Sequence, residues 1–580
     1  MMDFPAGLED QLDDRSYWFR IERDRISRRR MLAAMGVGAS GLALAAACGG
    51  GSSSSSTDKS PAATTAQATQ ASGPPKRGGV WKASNQGAWG TIDPMVSVGN
   101  ATGILPKLYN VLISRSNADP TFIFYDLAQS FEQVDEQTYV FKIRPGVKIA
   151  PNSLGIAERD MDALDAQRSI ERAHAENDVI SRVFTEPWVD VAQASGDTFT
   201  FKTKGAYSYF LSEIGRALGG TIPPREAFEQ KINLRDQAAG AGPFMIKPGS
   251  YEETGSVALL RNPNYYRTDE KSGLKLPFID EIDTALITDR QARRTAFLSK
   301  QIYSYGAADT TEAKELVSQN KSLYISRAPS FTFISFTMNP TRDPWKDDRI
   351  RKAALHALDR KQFIDLIVGE GEGKPDGLVH WPTGPYAFNE TELDEFQKYD
   401  PKQSHDLIKA ATGNDTIKVK ITYPVSDIEF HDKHLPIFLK QMKEAGFDVQ
   451  EDPKDFSAWL GDYTDVKYDA SLSLNQIYET PRIALDWQSA KGPAGDGHFA
   501  VGIGSIYPEV EKAIMDSKQA KDQQDHVAKV RAAQKVVYDK GPAFLPIFSW
   551  YAYTLYWDFV KNVHELGDTG TFLSDTWLDL

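Results

Sequence analysis

One cysteine, Cys48, stands in a chain of 580 residues. A framework of intrachain disulfides is therefore excluded. Basic residues are outnumbered, 66 Lys and Arg against 79 Asp and Glu, for a formal charge of −13. A chain this acidic is a poor partner for nucleic acid, whose binding relies on cations neutralising phosphates. Enzyme signatures are missing: there is no G-x-S-x-G and no H-E-x-x-H. The stretch GEGEGKP (369–375) is rich in glycine, but it carries acid where a phosphate loop needs donors. No solenoid repeat is visible and no pattern calls for a cofactor. Beyond the first fifty residues no apolar run approaches the ~20 residues that span a bilayer.

What is present begins with that first stretch. Arg20, Arg23, Arg25, Arg28, Arg29 and Arg30 precede an apolar run from Met31 to Ala47. A basic region, a short apolar core and a small-residue end describe a secretory signal over 1–47. The run SRRRML resembles a twin-arginine export motif, in which Arg28 and Arg29 are the receptor-read pair. Ala45-Ala46-Ala47-Cys48 resembles a lipobox, with Ala45 where Leu is usual. That resemblance implies lipidation of Cys48 and an anchor on the outer face of the cytoplasmic membrane or in the periplasm. Residues 48–77 are Ser, Thr, Ala, Gln, Gly and Pro, a composition that builds a tether and no core.

The remaining body is too long for one core, and 41% hydrophobic and 11% aromatic residues suit a globular one. It alternates strand-like and helix-like patterns. Tyr139, Phe141 and Ile143 share a face at period two, and Pro145-Gly146 turns the chain. Phe199 and Phe201 repeat the device, and 331–338 reads as a strand buried on both faces. Asp347 or Asp348 is placed to cap one helix through about Val368, with Ile350, Ala354, Ala357, Phe363, Ile364 and Ile367 inward and Gly369 as its stop. Further helices are expected over 434–445 and 525–539, and a closing strand over 544–557.

The order of short motifs then becomes informative. Gly78-Gly79-Val80 with Thr91-Ile92-Asp93-Pro94, Leu108-Tyr109-Asn110-Val111-Leu112, Asp126 to Glu132 with Thr138 to Lys148, Gly240-Ala241-Gly242-Pro243-Phe244 with Arg261-Asn262-Pro263-Asn264-Tyr265, and Asp348 to Ala353 with Asp359-Arg360 follow one another along the body. In this order they resemble the family 5 extracellular solute-binding proteins of ABC importers, the group of oligopeptide-, dipeptide- and nickel-binding proteins. The resemblance implies an α/β, two-lobed periplasmic-binding-protein-like fold of class II type, with an additional α+β domain and a cleft between the lobes. Lobe I would comprise 78–124, 221–326 and 541–580, the additional domain 125–220 and lobe II 327–540. It further implies a monomer that is no enzyme, captures a small solute (a peptide, an oligosaccharide or similar) and hands it to ABC permease subunits. A secreted hydrolase and a binding protein feeding a membrane sensor are the alternatives. Physically, Gly240 and Gly242 read as backbone angles barred to other residues, and Arg351 as a surface partner of Asp347 or Asp348.

Peptide-binding members carry a stretch like W-x-A-D-Y-x-x-P, whose Asp holds the α-ammonium. Here it reads Leu474-Asn475-Gln476-Ile477-Tyr478-Glu479-Thr480-Pro481. Ile477 stands where that Asp belongs, while Tyr478 and Pro481 match. Asn475 and Gln476 offer neutral donors and acceptors, and Glu479 or Asp486 is the substitute carboxylate to weigh. Trp89, Trp381, Trp459 and Trp487 divide between packing and an aromatic wall of the cleft, with Trp381 and Trp487 favoured for the wall. His431 and His434 lie at i, i+3, too few ligands for a metal, and read as a solvated helix face.

Overall fold

A computed structural model describes residues 73–580 except 88, 96–102, 116–122, 176–188, 215–219, 426–427, 477–480, 493–498 and 566–570. Arg28, Arg29, Cys48, the apolar leader and nearly all of the tether therefore lie outside the described residues, as does Tyr478.

Strand β1 (Val80–Asn85) is followed by a four-stranded unit of β2 (Ala128–Gln133), β3 (Thr138–Ile143), helix α1 (Ala163–Ala175), β4 (Val189–Ser195), β5 (Thr198–Thr203) and the single turn α2 (Phe210–Glu213). Strands β6 (Phe244–Ile246), β7 (Val257–Arg261) and β8 (Glu281–Leu286) return to β1 in the order β1-β8-β7-β6, with β1 and β8 parallel. The chain then runs through β9 (Ser304–Gly306), β10 (Leu323–Met338), α3 (Asp348–His356), α4 (Arg360–Ile367), β11 (Gly373–Pro375), β12 (Ile417–Pro424), α5 (Ile428–Glu444), β13 (Phe447–Lys454), α6 (Phe456–Thr464), β14 (Ala470–Gln476), α7 (Pro481–Asp486), α8 (Pro508–Ser517), α9 (Gln523–Asp539) and β15 (Phe544–Trp557). These strands form a seven-stranded sheet, β9-β15-β10-β14-β12-β13, with β11 paired to β15.

The alternation read in β3 and β5 is realised in their pairing. Tyr139 faces Phe201 and Phe141 faces Phe199 across the antiparallel ladder, and all four rings are buried. Cross-strand aromatic pairs of this kind fix the register. Gly146, at φ +77°, makes the turn that follows.

β10 is sixteen residues long and starts eight residues before the apolar run that announces it. Its first half, LYISRAPS, mixes Arg, Ser and Pro with apolar residues and shows no period. It is nonetheless paired, from Leu323 opposite Trp557 to Pro329 opposite Tyr551. The expected boundary between 326 and 327 falls inside this continuous strand. The first half of the β10–β15 ladder lies beside β9 and meets β1 through Trp81, 6.3 Å from Tyr556. The second half lies beside β14 and meets the turn before α3 through Phe336 with Trp345 (5.5 Å), α5 through Phe336 with Phe438 (5.1 Å), and α4 through Phe548 with Phe363 (6.0 Å).

Several expectations need correcting. The single helix from 348 to 368 is two. Asp359 accepts from the Gln362 amide at 3.0 Å and caps α4, which competes with continuing α3. Arg351 is not a surface partner of Asp347 or Asp348. It is fully buried, and it donates to the carbonyls of Trp345 (2.6 Å), Lys346 (2.9 Å), Lys540 (2.7 Å) and Gly541 (2.7 Å). His434 is not on a solvated face either; it is buried with its ring 5.7 Å from Phe548. Gly240 and Gly242 are needed for space: a Cβ would stand 2.1 Å from the Leu108 carbonyl oxygen at Gly240 and 2.6 Å from its carbon at Gly242.

Removing a donor from buried acceptors costs about 1–3 kcal/mol each. Arg351→Met, which keeps the volume and loses four bonds, is expected to lower the unfolding free energy by at least about 3 kcal/mol in urea titrations. A loss below about 1 kcal/mol would show those carbonyls to be otherwise satisfied.

Candidate functional site

In open α/β sheets ligands bind outside the carboxyl ends of the parallel strands. β12 runs parallel to β13 and, at Thr422 opposite Ser471, to β14. Their carboxyl ends, Pro424, Lys454 and Gln476, open on one side of the seven-stranded sheet. On that side β10 enters, with Thr332 paired to Gln476 and Phe333 to Asn475. The β10–β15 register breaks between Pro329 and Phe333. Such a bulge bends the strand and re-aims its side chains. The candidate site is therefore the junction of the 330–332 bulge, the end of β14 and the 376–381 segment.

That segment anchors the bulge. His380 lies between two acceptors, with Nδ1 2.8 Å from Asp376 Oδ1 and Nε2 3.0 Å from the Ser330 carbonyl oxygen. Both side chains are completely buried. Trp381 follows, half-buried, and its indole Nε1 donates to Ser549 Oγ at 2.7 Å. Its ring is 5.2 Å from Tyr551, and Lys374 sits 5.1 Å above it. On the far side of Tyr551 the Arg327 guanidinium stacks at 3.4 Å. Arg327 also donates to Tyr553 Oη (2.9 Å), the Gly371 carbonyl (3.0 Å) and Glu372 Oε2 (3.2 Å).

Glu372 belongs to the acidic glycine-rich stretch that fails as a phosphate loop. It accepts from Tyr553 Oη, from Thr310 Oγ1 at 3.1 Å and from Lys314 at 3.4 Å, and so ties that loop to β15 and to the helix beyond β9. Arg327, Glu372 and Tyr551 are not singled out in the sequence. The one signal available is the period-two aromatics of SWYAYTLYW; Arg327 and Glu372 lie 45 residues apart and only pairing unites them.

Asn475 is positioned by β14. Its Nδ2 donates to Ser335 Oγ at 2.6 Å and Ser473 Oγ at 2.8 Å. Beneath it Tyr463 shares a hydrogen bond with Thr337 (3.2 Å), and burial pushes its hydroxyl up to about 12, so it stays a neutral partner. Gln476 closes the strand; Ile477, Tyr478 and Glu479 are outside the described residues.

Of the four tryptophans, only Trp381 keeps an open edge. Trp487 is 8% exposed and stacked on Phe544 at 4.4 Å, so it is a packing residue beneath the sheet and no part of an open wall. Trp89 is likewise packed in the core, its amide donating to the Glu253 carbonyl at 2.9 Å. Trp459 donates to Ser471 Oγ at 3.1 Å and stacks on Tyr463. Asp486 does not supply a substitute carboxylate, because Arg482 (2.9 Å) and Lys518 (2.6 Å) already pair with it. Among the described residues no three His, Cys, Asp or Glu side chains are grouped to hold a metal.

Comparison with known proteins places this junction in context. The model of the bacterial extracellular solute-binding proteins, family 5, matches residues 123–495. The chain belongs to that family. Its relatives include the glutathione-binding protein GsiB of Salmonella paratyphi A, 23% identical over 291 residues, 49% of this chain and 52% of that one. Another is di/tripeptide-binding protein 2 of Pseudomonas aeruginosa, 21% identical over 324 residues, covering 52% and 58%. The chain thus spans about half the length of these curated relatives.

Solved structures agree on the fold. Helicobacter pylori DppA in complex with the peptide STSA matches with TM-score 0.69 at 18% identity, covering 87% of this chain and 99% of that one. MoaA of A. tumefaciens R10 with mannopinic acid gives 0.68 at 19%, covering 87% and 100%. Bacillus subtilis AppA with a nonapeptide gives 0.67 at 18%, again covering 87% and 100%. The family 5 fold, two mixed α/β lobes about a cleft, is therefore the fold of this chain.

His380→Ala removes the donor to the Ser330 carbonyl and leaves Asp376 Oδ1 with only the long bond from the Trp381 amide, 3.4 Å. We expect a loss of about 1–3 kcal/mol in stability, read by urea unfolding. A variant as stable as the parent would show that the bulge holds itself.

Proposed function

We propose that this family 5 protein is an extracytoplasmic binding lipoprotein that captures a small solute of the oligopeptide class, without a free α-ammonium, and delivers it to an ABC permease. The observation that carries the solute class is Ile477 in place of the ammonium-binding Asp. Four acids among the described residues of the seven-stranded lobe support it, because each of the four is already engaged. Asp452 pairs with Lys420 and Lys454, Asp486 with Arg482 and Lys518, Glu372 with Arg327 and Lys314, and Asp376 with His380. An ammonium entering a closed cleft without a partner bears a desolvation penalty of several kcal/mol. Neutral donors and a half-buried indole suit a blocked or cyclic peptide, an oligosaccharide or a similar molecule. The names of the relatives, which include binders of glutathione and of di- and tripeptides, support the oligopeptide class.

The test uses the purified full chain and a pool of di- to pentapeptides, free and N-acetylated, read by calorimetry and mass spectrometry. Acetylated peptides are expected to bind at least as tightly, to raise the unfolding temperature, and to be recovered intact. At a hundred times the dissociation constant the gain is about 2.7 kcal/mol. Sub-micromolar binding that vanishes on acetylation overturns the solute class, and recovery of cleaved peptide overturns the transport reading in favour of a hydrolase.

Lipid anchoring at Cys48 rests on Ala45–Ala47 before it and the polyserine tether after it. No helix among the described residues is long and apolar enough to cross a membrane. Cys48→Ala is expected to move the protein from the membrane to the soluble fraction, and Arg28→Lys with Arg29→Lys to block export. Retention of Cys48→Ala on the membrane would place the anchor in the apolar run itself.

A further inference from the structure

Four charged side chains lie buried together around α7. Glu213, Arg482, Asp486 and Lys518 are each less than a tenth exposed. Arg482 grips Glu213 with two bonds, Nε to Oε1 at 3.1 Å and Nη2 to Oε2 at 3.2 Å. Its Nη1 reaches Asp486 Oδ2 at 2.9 Å, and Lys518 reaches Asp486 Oδ1 at 2.6 Å. Two positive and two negative charges make the cluster neutral as a whole.

The four residues come from two different bodies. Glu213 ends α2, whose Phe210 stacks on Tyr139 at 4.0 Å and lies 4.6 Å from Phe201, inside the four-stranded unit. Arg482 and Asp486 are on α7, which is followed by Trp487 stacked on Phe544 of the seven-stranded sheet. Lys518 follows α8. Around the cluster the same two bodies meet again: the Ser208 amide donates to the Lys518 carbonyl (2.8 Å), the Ala520 amide donates to Ser208 Oγ (2.6 Å), and the Tyr209 ring lies 4.5 Å from His526. Burial keeps the Tyr207 and Tyr209 hydroxyls protonated.

The charge division is unequal. Among the described residues of the cluster, the α7–α8 side holds two cations and one carboxylate, and Glu213 brings the second carboxylate. An apolar joint of this depth would lose all its burial on parting. An ionic one regains water at every group as it loses its partner, so its two states lie close in free energy. Complementary charge also sets the register of docking. In addition, α7 begins directly after 477–480, the segment that aligns with the solute-binding stretch of peptide-binding members.

We propose that Glu213 and Arg482 form a latch that holds the four-stranded unit against the seven-stranded lobe in the closed conformation and releases when the lobes open. The latch touches no solute and depends only on the two-lobed fold, so it is independent of the solute class proposed above.

The test needs no ligand. In the full chain, Cys48→Ser removes the native thiol, and spin labels are placed on cysteines at the exposed positions Glu136, in the β2–β3 turn, and Lys402, on the seven-stranded lobe. Pulsed electron resonance reads the distance between them. The parent is expected to give one narrow distribution. Glu213→Gln is expected to add a longer population of comparable size while the circular dichroism stays that of the folded parent. The swap Glu213→Arg with Arg482→Glu is expected to narrow the distribution again. Lys518→Gln, which leaves Asp486 with Arg482 alone, is a second reading should the swap not fold, and it too is expected to add the longer population. An unchanged single distance in folded Glu213→Gln, or in folded Lys518→Gln, overturns the latch and leaves the cluster a static joint.

Discussion

The β10–β15 ladder is the constraint on which the rest of the molecule depends. Strands of sixteen and fourteen residues pair along nearly their whole length, and most of the seven-stranded sheet is built against them. Main-chain bonds make each half stiff. Where the register breaks between Pro329 and Phe333, those bonds are interrupted, and change in backbone angle is absorbed most easily there. Hinge closure uses a few such residues rather than a diffuse bend. The placement of His380, Trp381 and Tyr551 around that break puts the most polar part of the junction beside the point of flexure.

Buried polar groups do the complementary work of fixing chain paths. Arg351 gathers four carbonyls from two distant loops, and Gln488 both donates to the Phe544 carbonyl and accepts from the Ala543 amide. Each bond adds little net stability. Leaving such a group unpaired is costly, so alternative packings of the same helices are penalised. The acids near the junction follow the same logic. Among the described residues, Glu372, Asp376 and Asp452 are each engaged with a cation or an imidazole, and Asn475 and the Trp381 edge are the neutral groups beside them.

Much of the fold was legible in the sequence because the relevant signals are local. Period-two aromatics named β3 and β5, and an acid cap at Asp347 or Asp348 with the stop at Gly369 named the start of α3 and the end of α4. The failures were of two physical kinds. One is local competition: Asp359 is as good a cap as Asp347, and one helix became two. The other is burial of residues whose type suggests the surface. Arg351 and His434 look solvated on a helical wheel, but their surroundings are set by elements a hundred or more residues away. The candidate site was legible to a lesser degree. Trp381 and Asn475 were named and are at the junction, while Trp487 and Trp89 are packing residues and Arg327 and Glu372 were missed.

The sequence by itself determined the family, through motifs whose order covers most of the body, and it placed Ile477 where the family motif has an Asp. Both are properties of residue identity at a position, which needs no partner to be read. Tertiary structure alone decided which tryptophan keeps an open edge, which acids are engaged, and that Glu213 and Arg482 meet across 269 residues. Those are properties of pairs, and pairing at that separation is set by how strands register and lobes dock, which no local pattern encodes.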